Sequence, residues 1–158
     1  MQNSDMSTNY RAMDCSPADV FEVLADGWVF PTWVVGASRM RDVEEGWPEA
    51  GTQLAHSFGV WPVMINDETT SIEWDPPRRV VFSPQGWPIG EALVEIDVKP
   101  RGDGCVVRIK EKAIAGPGAM VPPWLLDIFL FARNKETLQR LAYIAEGRRR
   151  PGSSSERA

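Results

Sequence analysis

The apolar and polar positions divide the chain into a strand-rich middle framed by helical signals. The longest helical pattern comes late, from Pro122-Pro123-Trp124 to about Gly147. There Trp124, Ile128, Phe131, Leu138, Ala142 and Ala145 recur at gaps of 3, 4 or 7 and define one stripe. The proline pair suits a helix start and Gly147 a stop. At 1.5 Å per residue such a helix is about 36 Å long. An apolar stripe of that length needs a partner surface.

The preceding stretch predicts one. Thr8–Asp14 reads as a first, weakly patterned strand. Ser16-Pro17-Ala18-Asp19 then marks a helix entry, with Ser16 as N-cap, Pro17 at N1 and Asp19 in the first turn. Val20, Phe21, Val23 and Leu24 supply that helix with an apolar face, and it ends near Asp26-Gly27. Trp28–Val35 is apolar but broken by Pro31, which fits a short second helix or turn with Trp33 inward.

From Ala37 to Ala115 the pattern switches to strands between turn signals. The expected strands are Ala37–Val43, Thr52–Phe58, Val63–Trp74, Arg79–Ser83, Gly90–Val98 and Cys105–Ala115. Pro84 to Pro88 reads as a turn, and Arg101-Gly102-Asp103-Gly104 as a tight hairpin. Ala92, Val94, Ile96 and Val98 alternate with Glu91, Glu95 and Asp97, the mark of a sheet with one buried and one wet face. The expected fold class is α+β: a curved antiparallel sheet of seven strands, two short helices after the first, and a long C-terminal helix. A strongly curved sheet crossed by one helix leaves a cavity between them.

At 158 residues one domain is expected, spanning 8–147, with 148–158 as a polar, disordered tail. A net charge of −5 argues against nucleic acid or an anionic membrane surface as the main partner. No apolar run approaches the ~20 residues needed to span a bilayer, and Met1 to Arg11 lacks a signal-peptide pattern, so a cytoplasmic location is expected. Cys15, Cys105 and His56 are the whole cysteine and histidine inventory, too sparse for a metal site. No dinucleotide or phosphate-loop fingerprint occurs, so no cofactor is expected. Seven tryptophans supply aromatic surface for a core or an apolar pocket.

The candidate site residues follow from placement. His56 shares a strand face with Leu54 and Phe58, where an inward imidazole can transfer protons or anchor a ligand. Lys135 interrupts the stripe of the long helix, and Asn134 flanks it. Trp33, Phe58, Trp124 and Phe131 are the expected aromatic walls of the cavity. Asp127 is explained by the helix dipole alone. Glu73 and Glu111 lie near strand ends, and nothing in the sequence brings them together.

In their order and spacing several pieces resemble the SRPBCC superfamily, which includes START-type, birch-pollen-allergen-type and polyketide cyclase/dehydrase-type proteins. These pieces are Ser16-Pro17-Ala18-Asp19-Val20-Phe21, Trp28 through Trp33 to Gly36, Trp74-Asp75-Pro76-Pro77-Arg78-Arg79, the Gly102-to-Val107 hairpin and Asn134 to Leu138. The resemblance implies a helix-grip fold with a cavity under the C-terminal helix for a hydrophobic or amphipathic small molecule. It implies that the first and last strands are neighbours, which brings Cys15 near Cys105 as buried thiols. It carries over no catalytic residue. The alternatives are a cyclase-type enzyme in which His56 and Lys135 move protons, and a protein-interaction module with an exposed surface of Trp47, Trp61 and Trp87.

Overall fold

A computed structural model describes residues 7–60, 62–86, 90–115 and 120–148. Of the expected tail 148–158 only Arg148 is described, and it is held by Asp26 at 3.2 Å; residues 149–158, Trp61 and Trp87 lie outside these residues.

Strand β1 (Ser7–Met13) leads into helix α1 (Pro17–Ala25). Ser16 and Asp19 close a reciprocal capping box. The Asp19 N–H donates to Ser16 Oγ at 3.1 Å, and the Ser16 N–H donates to the Asp19 carboxylate at 2.9 Å. Burial of Val20, Phe21, Val23 and Leu24 holds the helix down; each such side chain contributes roughly 1.5–3 kcal/mol. A 3-10 turn at Gly27–Val29 and a one-turn helix α2 (Phe30–Trp33) follow. Pro31 falls in the first turn of α2, where a proline is tolerated, Val34 ends the helix in an extended conformation, and Trp33 is buried as expected.

Six more strands complete the sheet: β2 (Ala37–Val43), β3 (Gln53–Val60), β4 (Val63–Asp75), β5 (Arg79–Gly86), β6 (Gly90–Arg101) and β7 (Gly104–Ala115). They form one antiparallel sheet in the order β1-β7-β6-β5-β4-β3-β2, gripping helix α3 (Pro123–Gly147). On β6, Ala92, Ile96 and Val98 are buried, as their alternation requires. At the β6–β7 hairpin, Gly104 lies against β1. A Cβ there would sit 2.3 Å from the Met13 carbonyl oxygen, so only glycine lets the first and last strands close.

Two expectations are corrected. Pro84 does not end β5. The strand continues to Gly86, with Pro84 opposite Thr69 of β4. A proline survives here because pairing to β6 lapses between Phe82↔Val94 and Gln85↔Glu91, and Ser83 Oγ donates to the Ala92 carbonyl in its place. The second concerns α3, whose buried residues are Leu130, Asn134, Thr137, Leu138, Leu141, Ala142 and Ala145. Trp124, Ile128 and Phe131 are instead 65%, 62% and 54% exposed. The seated stripe runs through two polar residues and only from Leu130 onward. Ahead of it, Trp124, Leu125, Ile128, Phe129 and Phe131 form an exposed apolar stretch. Asn9 Nδ2 on β1 donates to the Phe131 carbonyl at 3.1 Å where the seated half begins.

Candidate functional site: the cavity between sheet and helix

Helices α2 and α3 are joined at Val35. Arg133 Nε donates to the Val35 carbonyl at 3.1 Å, and the Val35 N–H donates to Thr137 Oγ1 at 3.3 Å. These bonds bring Trp33 and Val34 against the helix face that carries Arg133, Asn134 and Thr137. Beneath this junction is a cavity, closed on the sheet side by Phe58, Thr69, Phe82, Pro84, Val94, Ile96, Ile109 and Glu111. Gly36 helps to shape it. Its φ of +100° turns the chain, and a Cβ there would meet the Phe58 ring at 2.9 Å.

The cavity is tight. Its volume is about 40 Å³, within about 420 Å³ of non-atom space that includes open solvent at its mouth. A water needs roughly 10–15 Å³ measured in this way, whereas drug-sized ligands fill pockets of about 300–1,000 Å³. Only a few waters fit without wall movement.

Most of the wall is aromatic or aliphatic, but its polar groups are specific. Glu111, 2% exposed, receives Arg133 Nη1 on both oxygens, at 2.9 and 3.1 Å. This is a buried ion pair between β7 and α3. Thr69 Oγ1 lies 2.8 Å from His56 Nε2. His56 is fully buried between the rings of Phe30, at a centroid distance of 5.2 Å, and Phe58, at 4.9 Å. Burial, reinforced by the nearby positive charge of Arg41, pulls its pKa down from 6.5 to about 4, so the ring is neutral at pH 7. Its Nδ1 has no hydrogen-bond partner. Asp67, opposite His56 in the β3–β4 register, is also buried, and burial raises its carboxyl pKa.

The expected site residues separate into three groups. Trp33, Phe58 and Asn134 line the cavity. His56 lies one layer behind it and reaches it through Thr69. Trp124, Phe131 and Lys135 are exposed and are not among its lining residues. Lys135 follows the inward Asn134, and one helical step of about 100° turns it out. Trp47 is half-buried and stacks on Phe82 at 5.2 Å, so it adds to the core. Glu73 pairs with Arg79 on the exposed side, away from Glu111. Sequence reasoning missed Arg133, Thr137 and Thr69. Arg133 carried a usable signal as a charged residue one step before Asn134, but its carboxylate partner is 22 positions away.

Cys15 and Cys105 are both free and buried. They share a thiol hydrogen bond that, with burial and the carboxylates Asp19 and Glu146, drives the pKa of Cys15 far up. Among the described residues no cluster of potential metal ligands occurs, and no helix is long and apolar enough to cross a membrane.

Residues 7–146 match the family described as polyketide cyclase / dehydrase and lipid transport. The chain belongs to that family, and with it to the SRPBCC superfamily. Solved structures share the fold. A Chromobacterium violaceum protein, CV1439, is 17% identical with a TM-score of 0.67, over 88% of this chain and 96% of its own. The di-domain aromatase/cyclase StfQ of the steffimycin biosynthetic pathway is 14% identical with a TM-score of 0.70, over 92% of this chain and 52% of its own. Ara h 8.0201 is 12% identical with a TM-score of 0.66, over 87% of this chain and 95% of its own. No curated protein matches the sequence.

Proposed function

We propose that this protein binds a hydrophobic or amphipathic small molecule in the cavity between sheet and α3. The observation that carries this reading is the cavity wall. It sets Phe30, Trp33, Phe58, Phe82, Val94 and Ile109 around a few polar groups gathered at the α2–α3 junction, the composition expected of a ligand pocket. The small resting volume makes wall movement part of binding. The elements available to move are the one-turn α2, which carries Phe30 and Trp33 of the wall, and the exposed first half of α3, which leads into the wall residues Arg133, Asn134 and Thr137. Native mass spectrometry of protein purified from its own host, followed by denaturing extraction, tests the reading. A stoichiometric apolar adduct supports it. Repeated clean apo mass, together with no binding of any hydrophobic probe, counts against it.

A second reading, a cyclase-type enzyme in the same cavity, is favoured by one observation. The Thr69 hydroxyl is on the wall, and a neutral imidazole stands behind it at 2.8 Å. Thr69 can take a proton from a bound molecule while passing its own to His56 Nε2. Once a turnover is assigned, His56→Gln and Thr69→Val should each slow it. Unchanged turnover in both would remove this reading.

A further inference from the structure

Two hydrogen-bond donors on the cavity wall are unmet. Trp33 Nε1 and Asn134 Nδ2 are buried donors with no partner, and their residues are 3% and 1% exposed. Arg133 uses Nε on Val35 and Nη1 on Glu111. All three residues line the same cavity. They belong to the two elements that Val35 ties together, with Trp33 two positions before Val35 and Asn134 next to Arg133. A buried donor left unmet has given up its bond to water and received nothing in return. Two on one wall is a debt that the protein alone does not settle.

Two of the acceptor groups nearby already receive a bond from within the junction. Both Glu111 oxygens receive Arg133, and Thr137 Oγ1 receives the Val35 N–H. A water held by these donors would bring two O–H groups of its own into a wall that is mostly aromatic and aliphatic. A carboxylate would stand beside the buried Glu111 while Arg133 is already neutralised by it. A neutral carbonyl oxygen has neither fault. It accepts two hydrogen bonds, donates none and brings no charge.

We propose that Trp33 and Asn134, with Arg133 beside them, form an anchoring subsite for a neutral carbonyl oxygen at the polar end of an otherwise apolar ligand. This rests on the cavity-binding reading and narrows its ligand class. The same anchor holds a ketone, a quinone or an ester, and these share its chemistry.

The test uses a matched pair, tetralin and 1-tetralone, which differ by one carbonyl group. Binding of each to the intact protein is measured by calorimetry. 1,2,3,4-Tetrahydro-1-naphthoic acid serves as the charged comparison. Each donor–acceptor bond should add about 3-fold in affinity, so two bonds should favour the ketone by about 10-fold. Asn134→Leu keeps the side-chain size and should cut that preference to about 3-fold or less, with tetralin affinity unchanged. In the wild type, the Trp33 indole N–H proton should move downfield with 1-tetralone and not with tetralin. This signal carries the test if the leucine variant fails to fold. Equal binding of the pair overturns the subsite and leaves the cavity reading intact. A ketone preference with no change at Trp33 or in Asn134→Leu also overturns the subsite. Tighter binding of the acid would overturn its neutrality. Binding of none of the three would remove the cavity reading, and the subsite with it.

Discussion

Thr69 Oγ1 stands 2.8 Å from Nε2 of His56, so the one histidine in the chain meets the cavity through a threonine hydroxyl and not through its own ring. The hydroxyl keeps one face of the imidazole satisfied while Phe30 and Phe58 shield the rest. A charged ring in that setting has lost its water and gained only a weak dipole.

The protonation of His56 is therefore displaced to acid. With a single histidine, its ring signals can be followed by NMR without ambiguity. We expect no titration near 6.5 and a midpoint near 4. Because the folded value lies below the unfolded one, stability should be complete above about pH 6.5. It should fall as the pH drops toward 4, where the unfolded chain takes up a proton that the buried ring refuses. The size of that loss is roughly 3 kcal/mol. His56→Gln should flatten this part of the stability–pH curve. A ring midpoint between 6 and 7 would contradict the buried placement.

Glu111 and Arg133 should behave as a coupled unit. Removing one partner strands the other charge in the cavity wall. Arg133→Met alone should cost about 3–5 kcal/mol, and the double variant Glu111→Leu, Arg133→Met should recover most of it. Urea denaturation of the two singles and the double checks this cycle. Additive losses would mean that the two side chains do not interact in solution.

The two halves of α3 should differ in dynamics. Residues 134–145 are seated on the core, whereas Trp124, Leu125, Ile128 and Phe129 are exposed. Hydrogen exchange should be fast over about residues 124–130 and slow over 134–145, and a bound cavity ligand should slow the first half. Uniform protection along the helix would rule out its first half as a mobile approach to the cavity.

The thiols should be inert in the native state. Cys15 is buried, hydrogen-bonded to Cys105 and close to two carboxylates, all of which hold the proton on its sulfur; the same bond lowers the Cys105 pKa, so burial is what protects that thiol. A disulfide-exchange reagent should label neither cysteine until the protein is unfolded. Rapid labelling of native protein would contradict this packing.

The fold was legible where side-chain period and burial agree. The alternation of Ala92, Val94, Ile96 and Val98 identified β6, and Ser16 to Asp19 identified the start of α1. The site was legible only in part, because its polar residues break the patterns that reveal an inward face. Asn134 and Thr137 occupy inward positions of α3, while Trp124, Ile128 and Phe131 are apolar and exposed. A stripe drawn through apolar residues therefore starts about two turns before the helix is seated on the core. Pro84 misled for a similar reason. A proline reads as a turn, and only the lapse in β5–β6 pairing makes room for it within a strand. The Glu111–Arg133 pair joins a strand to a helix, and no local spacing announces such a contact.

The central claim is that the cavity, and not the exposed apolar start of α3, receives the ligand. The most direct measurement is a two-dimensional NMR titration of the protein with 1-tetralone, following the tryptophan indole and asparagine side-chain N–H signals. The account predicts saturable shifts at Trp33 and Asn134 with little change at Trp124. Shifts confined to Trp124 and its neighbours on α3, with Trp33 and Asn134 unmoved, would contradict it.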